Sequence, residues 1–120
     1  MPPAFSHLFV HVADLARTRD FYVGRLGLQV LAEEPGYLGI GGGDGFSLGI
    51  EERPNEEIGA RGMELEVRVH DVDALAAELR TAGVAVTEPT DQPWGARHAW
   101  LHDPDGYRLS IFSPTKGGPA

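Results

Sequence analysis

The chain has 120 residues, 42% of them hydrophobic and 23% charged, with no cysteine and a formal net charge of −8. That length suits one domain burying its own core, and the absence of cysteine excludes disulfides, thiolate metal sites and a cysteine nucleophile and fits a reducing cytoplasm. The acidic balance argues against nucleic acid and anionic membranes as partners, no apolar run approaches a membrane span, and Met1-Pro2-Pro3-Ala4-Phe5 lacks the basic-then-apolar order of a signal peptide.

In residues 7–12, Leu8, Val10 and Val12 alternate with His7, Phe9 and His11, the period of two that marks a sheet with one face in the core. Asp14 stands where a helix N-cap belongs. Leu15, Thr18, Tyr22 and Leu26 then share a helical face, with Phe21 beside it, and Gly27 is a natural C-terminal stop. Strands are predicted around 29–32, 37–40 and 46–51. Gly41-Gly42-Gly43 joins the last two as a flexible turn; no helix and no Gly-Lys-Ser/Thr pattern follows, so it is not a phosphate loop. The polar segment 53–62, with Pro54 and Gly59, reads as a linker.

The order then repeats. Leu65, Val67 and Val69 alternate with Glu64, Glu66, Arg68 and His70; Asp71 caps a helix with Val72, Leu75, Leu79 and Ala82 on one face; Gly83 ends it; strands are predicted around 84–87, 99–102 and 107–112. Asp71 matches Asp14 and Gly83 matches Gly27, and the second interval is shorter by a single position, a difference that lies in helix or turn length. Asp44-Gly45-Phe46-Ser47-Leu48-Gly49-Ile50 is matched in the second half by Asp105-Gly106-Tyr107-Arg108-Leu109-Ser110-Ile111. The fold class is therefore α+β: two tandem β-α-β-β-β modules, about 5–52 and 63–113, in one domain with a frayed tail at 114–120. Mixed sheets curl into a cup with the helices outside.

With helices on the apolar faces, the opposite faces carry His7, Phe9, His11, Glu51, Glu64, Glu66, Arg68, His98, Trp100, His102, Arg108, Ser110 and Phe112. That mixture suits a wet pocket with aromatic walls better than a dry core. Glu66 and Arg68 read as a rim ion pair. His11 and His70 read as solvated, and Asp103-Pro104-Asp105-Gly106 as a turn. In Trp94-Gly95-Ala96-Arg97-His98, Trp94 offers a flat ring either to a ligand or to a dimer partner, and Arg97 a fork for an anion.

The stretch from His7 to Leu28, with Phe21-Tyr22 and Leu26-Gly27-Leu28, and the closing Asp103-Pro104-Asp105-Gly106-Tyr107 with Leu109, resemble the vicinal oxygen chelate superfamily, which includes glyoxalase I, extradiol dioxygenases and bleomycin-resistance proteins. The resemblance runs from about His7 to Phe112 and implies paired modules, a homodimer and pockets that often form between subunits. It implies also that the loop at Trp94 often touches ligand. Metal-dependent members hold a divalent ion by one side chain from the first and one from the last strand of each module. The matching positions are His7, Gly49, Glu64 and Ser110. Gly49 has no side chain, and a serine hydroxyl is a poor ligand for the usual transition metals. A shifted site would recruit Glu51, His98 or His102.

The favoured reading is a metal-independent cytoplasmic protein, without a cofactor, that sequesters an aromatic or cationic small molecule. Its ligand-binding residues are His7, Phe9, Glu51, Glu64, Trp94, Arg97, His98, Trp100, Ser110 and Phe112. One alternative is a lyase, isomerase or dioxygenase with a divalent metal at His7 and Glu64. Another is a metal-free enzyme with a His7/Glu64 general base.

Overall fold

A computed structural model of the chain describes residues 6–41, 45–54, 58–59 and 63–115. The rest of the expected glycine turn beyond Gly41, much of the expected linker and the tail after Thr115 lie outside the described residues. The chain divides into two compact units, residues 1–59 and 60–120. Each is a four-stranded mixed sheet carrying one helical segment.

The first unit runs β1 (His7–Val12), α1 (Leu15–Arg19), a π-helical segment (Asp20–Arg25), β2 (Gln29–Glu34), β3 (Tyr37–Gly41) and β4 (Ser47–Glu52). Its sheet order is β1-β4-β3-β2, with β1 parallel to β4 and the other pairs antiparallel. The Asp14 carboxylate accepts the Arg17 N–H at 3.1 Å, as the N-cap expectation requires. The expected single α-helix is instead interrupted. From Asp20 the backbone widens, and the Leu26 N–H reaches back to the Phe21 carbonyl at 3.0 Å. This is where the extra position between Asp14 and Gly27 is absorbed. The widened turn buries two successive aromatics, Phe21 and Tyr22, edge to face at 5.0 Å.

The second unit runs β5 (Leu65–Arg68), α2 (Val72–Thr81), β6 (Thr90–Asp91), β7 (Ala96–His102) and β8 (Arg108–Pro114). Its order is β5-β8-β7-β6, again with the first and last strands parallel. Asp71 caps α2 through the Ala74 N–H at 3.1 Å, and Gly83 ends it with φ +86, a conformation that glycine adopts without strain. The buried face of α2 is Val72, Ala76 and Leu79. It is rotated from the expected one, so that Ala82 is exposed.

The expected strand at 84–87 is reduced to a single bridge between Val86 and Leu101. Next to it the Thr87 N–H still donates to the Trp100 carbonyl at 3.0 Å, and side chains supply the rest. The Trp100 N–H donates to the Thr87 hydroxyl at 2.9 Å, and Arg80 engages the Thr87 carbonyl at 3.3 Å. The ladder resumes only at Thr90–Asp91, past Pro89, which has no N–H to offer. Pro114, expected in the tail, closes β8 opposite Ala96.

The cores follow the alternation. Val12, Leu38, Ile40, Leu48 and Ile50 are buried in the first unit, and Ala99, Leu101, Leu109 and Ile111 in the second. Each fully buried large aliphatic side chain is worth about 1.5–3 kcal/mol. The last strand of each unit also satisfies the first helical amide. The Leu15 N–H donates to Glu52 at 2.8 Å, and the Val72 N–H to Ser113 at 3.2 Å. Glu52 and Ser113 are themselves partners in the duplication, related by the same offset that takes Asp44 to Asp105.

Candidate functional site

The register decides which side chains share the face opposite the apolar one. In the first unit His7, Phe9 and His11 on β1 lie beside Ser47, Gly49 and Glu51 on β4, and Tyr37 on β3 lies beside Glu51. A Cβ added at Gly49 would stand 3.0 Å from the Tyr37 hydroxyl and 3.1 Å from the Phe9 ring. The glycine thus admits two aromatic rings, which stack at 6.4 Å and 20°. Phe9 also meets His11 edge to face at 5.6 Å. His7 is exposed and its Nδ1 pairs with the Ser6 hydroxyl at 2.8 Å. Glu51 is ion-paired with Arg53 at 2.9 Å.

In the second unit Glu66 on β5 lies beside Ser110 on β8, Ser110 beside Trp100 on β7, and Phe112 beside His98. The His98 ring meets Trp100 at 4.4 Å and Trp94 at 6.3 Å, and Trp94 meets Phe112 at 5.9 Å, all edge to face. Such geometry sets ring edges against ring faces favourably. The Trp100 indole N–H donates to Glu64 Oε1 at 3.0 Å, the Arg108 guanidinium is ion-paired with the same oxygen at 3.0 Å, and Arg108 lies 4.5 Å over the Trp100 ring. His98 is 5% exposed; its Nδ1 bonds the Ser110 hydroxyl at 3.0 Å, while its Nε2 is buried with no hydrogen-bond partner among the described residues.

Two carboxyls complete this face. Glu66, expected in a rim ion pair with Arg68, is instead the register neighbour of Ser110 and interacts with the Glu64 carboxyl. Partial desolvation against the sheet, then the hydrogen bond and charge of Glu64, push its carboxyl up to about 7 against the opposing pull of Ser110. Glu64 is held below the usual range, first by its hydrogen bond with Glu66 and then by Arg108 and Trp100, against the effect of burial.

Of the residues singled out in the sequence, Glu64, Trp94, His98, Trp100, Ser110 and Phe112 thus come together in the second unit. His7, Phe9 and Glu51 belong to the first unit. Arg97 is a correction. Alternation turns it to the other side of β7, where its fork grips Asp73 at 2.8 and 3.0 Å and Asp91 at 3.2 Å. Arg97 in turn holds the Asp73 carboxyl below its ordinary range, so this fork is engaged by carboxylates and not held open for an anionic ligand. Tyr37 was missed as a face residue. The signal was available, because the offset that relates the two hairpins takes Tyr37 to His98.

The donor set does not fit the four-ligand metal site that the family resemblance implies. Gly49 is covered by Tyr37 and Phe9, the Ser110 hydroxyl is engaged by His98, and Glu64 Oε1 already accepts the Trp100 N–H and pairs with Arg108. Among the described residues no group of three or more His, Asp or Glu is placed to hold an ion.

No functionally curated protein matches the chain. Solved structures do. TnmS3, an antibiotic-binding protein from Streptomyces sp. CB03234, is 34% identical with a TM-score of 0.79, over 95% of this chain and 98% of that one. A glyoxalase/bleomycin resistance protein from the same Streptomyces is 36% identical with a TM-score of 0.71, over 89% of this chain and 98% of that one. A glyoxalase/bleomycin resistance protein/dioxygenase from Nocardioides is 25% identical with a TM-score of 0.72, over 98% and 87%. The family model that matches covers residues 4–111, and the chain belongs to the Glyoxalase/Bleomycin resistance protein/Dioxygenase superfamily.

Proposed function

We propose that this protein is a metal-independent small-molecule-binding protein that sequesters an aromatic or cationic compound, acting as a cytoplasmic homodimer. One observation carries the reading: Trp94, His98, Trp100 and Phe112 form a contiguous aromatic surface on the second unit's sheet, bordered by the carboxyls of Glu64 and Glu66. Stacking area with a few fixed polar groups is how binding sites for flat organic molecules are built, and the net charge of −8 favours a cation over an anion. The antibiotic-binding role of TnmS3 supports the same class.

The test is a thermal-shift and tryptophan-fluorescence screen of planar aromatic compounds with and without a cationic group, beside metal analysis of untagged protein. Saturable quenching with a raised melting temperature is expected, weakened about tenfold or more by Trp100→Ala, since large central aromatics dominate such surfaces. Stoichiometric nickel, zinc, iron or manganese would overturn the metal-independent reading. A flat response across the screen would overturn the binding reading.

A further inference from the structure

His98 is an unusual residue to find unsatisfied. A buried imidazole nitrogen without a hydrogen-bond partner loses the solvation it had in water, yet Nε2 is left so while Nδ1 is held. The holding group fixes where the proton sits. Ser110 has one hydroxyl proton, and above about pH 7 the ionised carboxyl of Glu66, its register neighbour on β5, is the stronger acceptor of its two neighbours. With that proton directed to Glu66, the Ser110 oxygen is left to accept, and the partner across 3.0 Å is His98 Nδ1. A neutral imidazole with its proton on Nδ1 carries a lone pair on Nε2.

We infer that His98 Nε2 is the polar anchor of the ligand site on this sheet and that it accepts a hydrogen bond, so the ligand is a planar aromatic bearing a donor such as a phenol hydroxyl or an N–H. The inference rests on the small-molecule-binding reading above and narrows it from any aromatic to those with a donor beside the ring. Trp100 and Trp94 lie at 4.4 and 6.3 Å from the imidazole, near enough for a ligand anchored there to stack on an indole. Trp94 is 53% exposed and borders the imidazole on the solvent side. A ligand presenting only carbonyl or ether oxygens meets a lone pair with a lone pair, and the site rejects it for the same reason that any buried polar group rejects a mismatched partner.

Two measurements test this on the intact protein. Nitrogen NMR of the histidine rings reads the tautomer without any ligand: His98 is expected with its proton on Nδ1, and Ser110→Ala is expected to release it into a mixture. A His98 ring protonated on Nε2 in the unaltered protein overturns the inference. The second measurement compares 2-naphthol with its methyl ether by tryptophan quenching. The naphthol is expected to bind about tenfold tighter or more, and His98→Phe, which keeps a flat ring but no acceptor, to erase the difference while the ether still binds. Should the variant fold poorly, Ser110→Ala carries the same test, with the preference reduced. Equal binding of the two probes by the unaltered protein, or a preference that survives both substitutions, overturns the donor assignment and leaves the aromatic site standing. Binding of neither probe overturns both.

Discussion

The two units share a frame and differ in what they place on it. In the paired hairpins, Tyr37 and Gly49 of the first unit answer to His98 and Ser110 of the second; in the paired first strands, Phe9 answers to Glu66. In the first unit the glycine lets two rings close over it; in the second a hydroxyl at that place joins an imidazole to a carboxyl. The apolar faces hardly differ, since Ile50 and Ile111, which also correspond, are both fully buried. The lesson is that a duplicated sheet keeps its core under the constraint of packing, while the other face is free to become a stacked aromatic surface or a polar relay.

The sharpest way to break the comparison is to truncate the matched cores. Ile50→Ala and Ile111→Ala are each expected to cost about 2–5 kcal/mol in denaturant unfolding, and a difference larger than that range would show that the two cores do not play the same part. Next come the helix entries. Glu52→Ala and Ser113→Ala each remove the acceptor for a first helical amide, for about 1 kcal/mol. The buried Ser113 is expected to cost the more, since water can replace the exposed Glu52.

The smallest effect separates the polar face from the aromatic one by pH. Glu66 titrates near 7 in the folded chain against an ordinary 4.5. Between those values the folded state keeps a proton that the unfolded chain releases. This group's contribution to stability is therefore complete below about 4.5 and is lost as pH rises through 7. The side chain is exposed, so the change is under about 1 kcal/mol. Melting temperatures from pH 5 to 8 are expected to fall slightly in the unaltered protein and to flatten in Glu66→Gln.

Much of this was legible in the sequence because it is periodic. Alternation in His7–Val12 and Leu65–Arg68 placed both first strands, Asp14 and Asp71 placed both helix starts, and parity put Glu64, Glu66, His98, Trp100 and Phe112 on one face, whereas Trp94 stood out only as a loop residue. What escaped was set by contacts that parity does not encode. The register gap between Asp14–Gly27 and Asp71–Gly83 announced one extra position, but only backbone geometry turns it into a π-helical turn. The strand at 84–87 shrinks to one bridge and a backbone bond at Thr87, with the Thr87 and Arg80 side chains bonding backbone groups beside it. Arg97 looked like an open fork because its two carboxylate partners, Asp73 and Asp91, stand on separate elements.

In both units the strand that comes last in the chain lies second in the sheet, between the first strand and the rest of the hairpin. Among the described residues β5 pairs with β8 and with no other named strand, joining Leu65 to Leu109 and Arg68 to Phe112. During synthesis β5 therefore waits for nearly the whole of its unit to emerge before it gains a neighbour. Long-range parallel pairing of this kind is slow to form and exposes unpaired edges meanwhile. With the helix start capped locally by Asp71 and β5 left waiting, each unit is expected to snap shut on arrival of its final strand instead of growing strand by strand.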